Sequence, residues 1–105
     1  MSLEQTGTGH LVMDPIERSN RGESYLAFTM VVPVPLDDTV NPDSESSVVL
    51  WFDCTVKGRL MLKASTLRKG DLVSARGHAT LRRYKHRNTT RESYQIEVNE
   101  LQKII

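Results

Sequence analysis

Val48-Val49-Leu50-Trp51-Phe52-Asp53-Cys54-Thr55-Val56-Lys57 is the stretch from which the fold can be read. With a period of two, Val48, Leu50, Phe52, Cys54 and Val56 share one face, and all are apolar. Val49, Trp51, Asp53, Thr55 and Lys57 share the other. Successive side chains of a strand point to opposite sides of a sheet, so this alternation predicts a half-buried strand. Trp51, the single tryptophan, falls on the side that meets water. An outward Trp beside an outward Lys is a surface on which a base can stack while its phosphate is held. A covering loop or a second subunit would account for an outward Trp equally well, and from this strand alone both readings stand.

The flanks supply partners for that strand. Upstream, Ser24 to Val32 alternates in the same way, with Leu26, Phe28, Met30 and Val32 on one face, and Pro33 and Pro35 are expected to end it. Residues 1–9 read as a ragged start with strand character around Leu3, continued by an extended His10 to Met13 that Asp14-Pro15 terminates. Glu17 to Gly22 is polar and reads as a turn. Between the two central strands, residues 36–47 form an acidic hairpin arm with Pro42, Asp37, Asp38, Asp43 and Glu45 and no basic residue.

Downstream, Arg59 to Leu67 reads as a short helix lined by Leu60, Leu62, Ala64 and Leu67, with Gly70 placed to close it. Leu72 to Tyr84 reads as a long strand. Val73, Ala75, Gly77, Ala79 and Leu81 face inward, and Arg76, His78, Thr80, Arg82 and Tyr84 face outward. Gly77 inside it points to a bend or bulge. Residues 85–91 make a basic hairpin tip, and a last strand runs from Ser93 to the end with Tyr94, Ile96 and Val98 inward. Five strands with one short helix between the third and fourth predict an all-β OB-fold, a five-stranded Greek-key barrel, as a single domain over residues 1–105.

Composition agrees and narrows the function. At 105 residues with 38% apolar and 26% charged content, the chain can bury one modest core and no more. It holds no apolar run long enough to span a bilayer and no basic-then-apolar leader, so the expectation is a cytoplasmic protein without a membrane partner. Cys54 is the only cysteine and offers no disulfide framework. His10, His78 and His86 lack partners at metal spacing, and no metal or cofactor is implied. Neither clustered carboxylates nor a nucleophile–base pair is visible, so an enzyme is not expected.

The net charge of +1 conceals a segregation. Residues 1–53 carry two basic and nine acidic side chains, whereas residues 54–91 carry eleven Lys or Arg and a single acid, Asp71. A basic block of this density on strands is the electrostatic footprint of a polyanion partner.

The order of motifs resembles the bacterial single-stranded DNA-binding protein (SSB) family over nearly the whole chain. Gly9-His10-Leu11-Val12-Met13-Asp14-Pro15, followed by Arg18, Gly22 and Phe28, is similar to its opening. Trp51 to Leu60 resembles its central W-[FH]-x-[VC] segment, and Leu67-Arg68-Lys69-Gly70-Asp71-Leu72-Val73 resembles the approach to the fourth strand. Gly77 to Tyr84 and the Thr89 to Glu97 region complete the series. A short relative, the primosomal replication protein N, also fits the length.

The resemblance implies stacking of bases on aromatics along the front of the barrel, a role in DNA replication, recombination or repair, and a homo-oligomer, either tetramer or dimer. Trp51 and Tyr84 meet two of the family's stacking positions; Lys57 and the region near Leu36 stand where two others would be aromatic. With the sequence running to Ile105, the acidic tip that recruits other proteins in the family is not expected here. The expected nucleic-acid-binding residues are therefore Trp51, Lys57, Arg59, Arg76, Arg82, Arg83, Tyr84, Lys85, Arg87 and Arg91. For each the plain alternative is an ordinary solvated charge or a packed aromatic. The alternative function is an OB-fold protein–protein or oligomerisation module with weak DNA binding.

Overall fold

The computed structural model describes residues 3–35 and 47–105. Its elements in chain order are β1 (Leu3–Leu11), β2 (Ile16–Asn20), β3 (Glu23–Pro35), β4 (Ser47–Val56), α1 (Leu60–Ala64), β5 (Leu72–His86) and β6 (Thr89–Lys103). The acidic arm read at 36–47 lies outside the described residues, apart from Ser47, which opens β4.

The strands form one sheet in the order β1-β5-β6-β4-β3-β2, and pairing of β1 with β3 at His10↔Val31 and Leu11↔Met30 closes it. β1, β3, β4, β5 and β6 are thus the five barrel strands, with α1 between the third and fourth of them, which is the OB-fold arrangement. Among the described residues the one parallel pairing joins β4 to β6, from Phe52↔Tyr94 to Thr55↔Glu97.

Binary patterning accounts for the core. Phe28, Met30, Phe52, Cys54, Val56, Val73, Ala75, Ile96 and Leu101 are buried, the inward sets of four strands. Each large apolar side chain taken fully out of water contributes about 1.5–3 kcal/mol. Phe52 meets the half-buried Tyr94 edge to face, with ring centroids 5.5 Å apart.

Four local readings are corrected. The polar segment Glu17 to Gly22 is mostly strand, because Arg21 (φ 53°) and Gly22 (φ 82°) turn the chain so that Ile16–Asn20 pairs back on β3. Every residue of β2 is exposed, so it carries no alternation to read. Pro33 does not end β3, which runs on to Pro35, its last residue. Beyond Val31 its only partner among the described residues is β4, and a strand with one open edge tolerates proline. In α1, Leu62 is 78% exposed while Met61 packs on the core with Leu60 and Ala64, since neighbours three apart share a helix face. Gly70 (φ 92°) is not the helix closure, for the helix stops at Ala64. Gly70 lies in a turn whose backbone bonds to β1, its N–H reaching the Leu11 carbonyl at 2.9 Å.

Leu81, expected to face inward, is 43% exposed. The reason is reach: β1 leaves β5 at Ala79 and β4 leaves β6 at Phe52↔Tyr94, so the β5–β6 hairpin runs on past the barrel as an arm. Arg87 (φ 51°) and Asn88 (φ 65°) form its two-residue turn, between the paired His86 and Thr89.

Burial, with Asp53 next in the chain as a lesser cause, pushes the Cys54 thiol well above its ordinary value. The folded state therefore keeps a proton that the unfolded chain releases above roughly pH 8.5, so this contribution to stability is lost as pH rises past that range. A thiol reagent is expected to leave Cys54 unmodified in the native protein and to react fully in denaturant. Fast native labelling would contradict that burial.

Candidate nucleic-acid interface

The outward face of the barrel strands forms an open groove of about 870 Å³. Register places its lining in rows. Thr29 opposes Asp53, Asp53 opposes Gln95, and Gln95 opposes Thr80, so one row crosses β3, β4, β6 and β5. Ala27, Thr55, Glu97 and His78 form the next. Arg18 on β2 lines one side of this lattice, and Arg82 on β5 lines the other. The cross-section is therefore cationic at both walls and rich in acceptors along the floor.

Trp51 lies on this same face of β4 by alternation, two residues before Asp53, and 46% of it is exposed. Among the described residues nothing covers the outer half of its indole. Asp53, read as a surface residue, accepts a hydrogen bond from the Thr29 hydroxyl at 2.9 Å. Asp14, read as a turn residue, accepts one from the Lys69 N–H at 2.7 Å, tying the β1–β2 connection to the turn after α1.

The expected basic residues divide into three groups. Arg82 lines the groove, and Lys85 and Arg87 are exposed along the projecting arm. Lys57 and Arg59 are exposed between β4 and α1, Lys57 beside a smaller depression that it shares with Asn20, Tyr25 and Glu97. Two others are already engaged by carboxylates: Arg76 sits 2.8 Å from Glu4 and 4.0 Å from Glu100, and Arg83 sits 2.9 Å from Glu92. Such half-exposed pairs are weak, but each reduces the charge presented to a phosphate. Tyr84 and Arg91 oppose each other in register on the arm, and their side chains lie outside the described residues.

Several groove residues escaped the sequence reading. Tyr25 and Arg18, opposite each other across β2 and β3, line the groove, and Tyr25 adds an aromatic to its edge. The signal was present, since Tyr25 falls on the outward parity of the strand whose inward set is Leu26, Phe28 and Met30. Thr29, Thr55, Thr80, Gln95 and Glu97 are visible only once strand order brings four outward faces together. Among the described residues no group of three or more His, Cys, Asp or Glu is arranged to hold a metal ion, and no helix is long and apolar enough to cross a membrane.

Comparison with known proteins gives the same architecture. A small single-stranded DNA-binding protein from Streptomyces coelicolor superposes with a TM-score of 0.74 at 18% identity, covering 99% of this chain and 95% of its own. The Plasmodium falciparum SSB in complex with single-stranded DNA superposes with a TM-score of 0.73 at 18% identity, covering 97% and 94%. No curated protein sequence matches. The profile of the single-strand binding protein family matches residues 6–104, and with that span the chain belongs to the single-strand binding protein family.

Proposed function

We propose that this protein binds single-stranded DNA across the outward barrel face, in DNA replication, recombination or repair, as a binding protein rather than an enzyme. The observation that carries the reading is the groove itself, open along four strands and bordered by Arg18 and Arg82. Bases stack on Trp51, with Tyr84 as a second platform. Phosphates run past Arg82, Lys85, Arg87 and Arg91 on the arm, and past Lys57 and Arg59 at the other end. Arg76 and Arg83 contribute less because Glu4, Glu100 and Glu92 hold them.

Neutralising about five phosphates gives log K against log salt a slope of roughly −3 to −4. Fluorescence anisotropy with a labelled oligo-dT over a salt series measures it. A flat response, or equal affinity for duplex of the same length, rejects the reading.

A homo-oligomer, dimer or tetramer, is part of the same proposal. It is supported by β1, whose residues 3–9 pair only with β5 and leave one edge of hydrogen-bonding groups open among the described residues. Light scattering on the purified protein decides it, a monomeric mass being the adverse result.

A further inference from the structure

The floor of the groove carries acceptors where a surface meant only for phosphates would carry cations. Asp53 is half-buried at its centre. The Thr29 hydroxyl donates to its Oδ1, which orients the carboxylate without engaging Oδ2. Gln95, exposed on the adjoining strand, lies directly opposite, one inter-strand spacing or about 4.8 Å away, and its amide offers both donor and acceptor.

A carboxylate in this position repels a passing phosphate, whereas it attracts a base edge that donates to it. Guanine presents two donors side by side, N1–H and the N2 amino group, with the O6 acceptor next to them. One carboxylate can take both donors while the Gln95 amide donates to O6. Thymine presents a single N3–H between two carbonyls, so its oxygens would face the carboxylates of Asp53 and Glu97. In a single strand these Watson–Crick edges are free to be read. Trp51 lies two residues from Asp53 on the same strand face, about 6.6 Å along β4, so a base stacked on it has its edge near this row.

We propose that Asp53, oriented by Thr29 and flanked by Gln95, is a base-reading position that favours guanine over thymine. The inference rests on the single-stranded DNA reading above. It adds a compositional preference to binding that otherwise tolerates any sequence.

The test compares a labelled alternating guanine–thymine oligonucleotide with an all-thymine one of equal length, at a single salt concentration. The mixed strand is expected to bind about 10-fold tighter, the scale of one good bidentate base contact. Replacing guanine by inosine, which lacks the N2 amino group, is expected to give an intermediate affinity. Asp53→Asn is expected to bring the two strands within about 2-fold while tightening the all-thymine complex, because a repelling charge is removed. Gln95→Ala, at an exposed side chain, is expected to reduce the preference as well, and it decides the matter if Asp53→Asn lowers the melting temperature. Equal affinities in the native protein overturn the proposal. So does a guanine preference that survives both substitutions, since it would reflect only the larger purine stacking surface. If neither oligonucleotide binds, the single-stranded DNA reading itself fails, and this inference with it.

Discussion

Trp51→Ala is expected to weaken single-stranded DNA binding by about 1–3 kcal/mol while leaving the melting temperature nearly unchanged. The side chain stands on the solvent side of β4 at 46% exposure, outside the buried core, so its truncation opens no cavity there. Phe52 and Cys54, which flank the same strand on the core side, continue to hold β4 in place. The same indole provides the assay in the native protein, because a base stacked on it should quench its fluorescence. The opposing outcome is an unfolded or dissociated variant whose DNA affinity per folded molecule is unaltered. That result would make Trp51 a packing residue of an assembly rather than a stacking platform.

Gly77→Ala is the second large effect, on stability rather than binding. A Cβ at Gly77 would sit 1.9 Å from the Glu97 carbonyl oxygen and 2.7 Å from its carbon. These are backbone atoms of β6, at the bulge between Arg76 and Gly77, and they cannot rotate away as a side chain can. The hairpin must open locally to admit the methyl group. A loss of about 3 kcal/mol is expected, which for a domain of this size lowers the melting temperature by more than about 10 °C. Thermal unfolding followed by circular dichroism measures it, and an unchanged midpoint would mean that the bulge relaxes freely.

The barrel was legible wherever one face of a strand is dry and the other wet. Leu26, Phe28, Met30 and Phe52, Cys54, Val56 declare their strands because burial enforces the period of two. β2 was not legible, since both of its faces are exposed and nothing in Ile16–Asn20 has to alternate. Leu81 misled for the complementary reason: the alternation continues along β5 after the neighbouring strands have ended. The site divides in the same way. Trp51 and the basic arm announce themselves as residue types, but the row Thr29–Asp53–Gln95–Thr80 is made of common polar residues from four separated segments. Only strand order assembles it, and one of the pairings it needs is the parallel contact between β4 and β6.

That parallel contact also governs when the barrel can close. β6 is the last strand in sequence yet lies in the interior of the sheet, between β5 and β4. Without β6, β5, β1, β3 and β4 are still joined through the short β1–β3 pairing, with β2 on β3, but the sheet stays open between β5 and β4. The barrel closes when Tyr94 to Glu97 slots in beside Phe52 to Thr55. Until that moment the open sheet leaves the inward face of Phe28, Met30 and Phe52 without its cover from β6, a vulnerable interval in which association with other chains competes with completion. Closure of the barrel therefore waits on β6, the strand that joins its two ends.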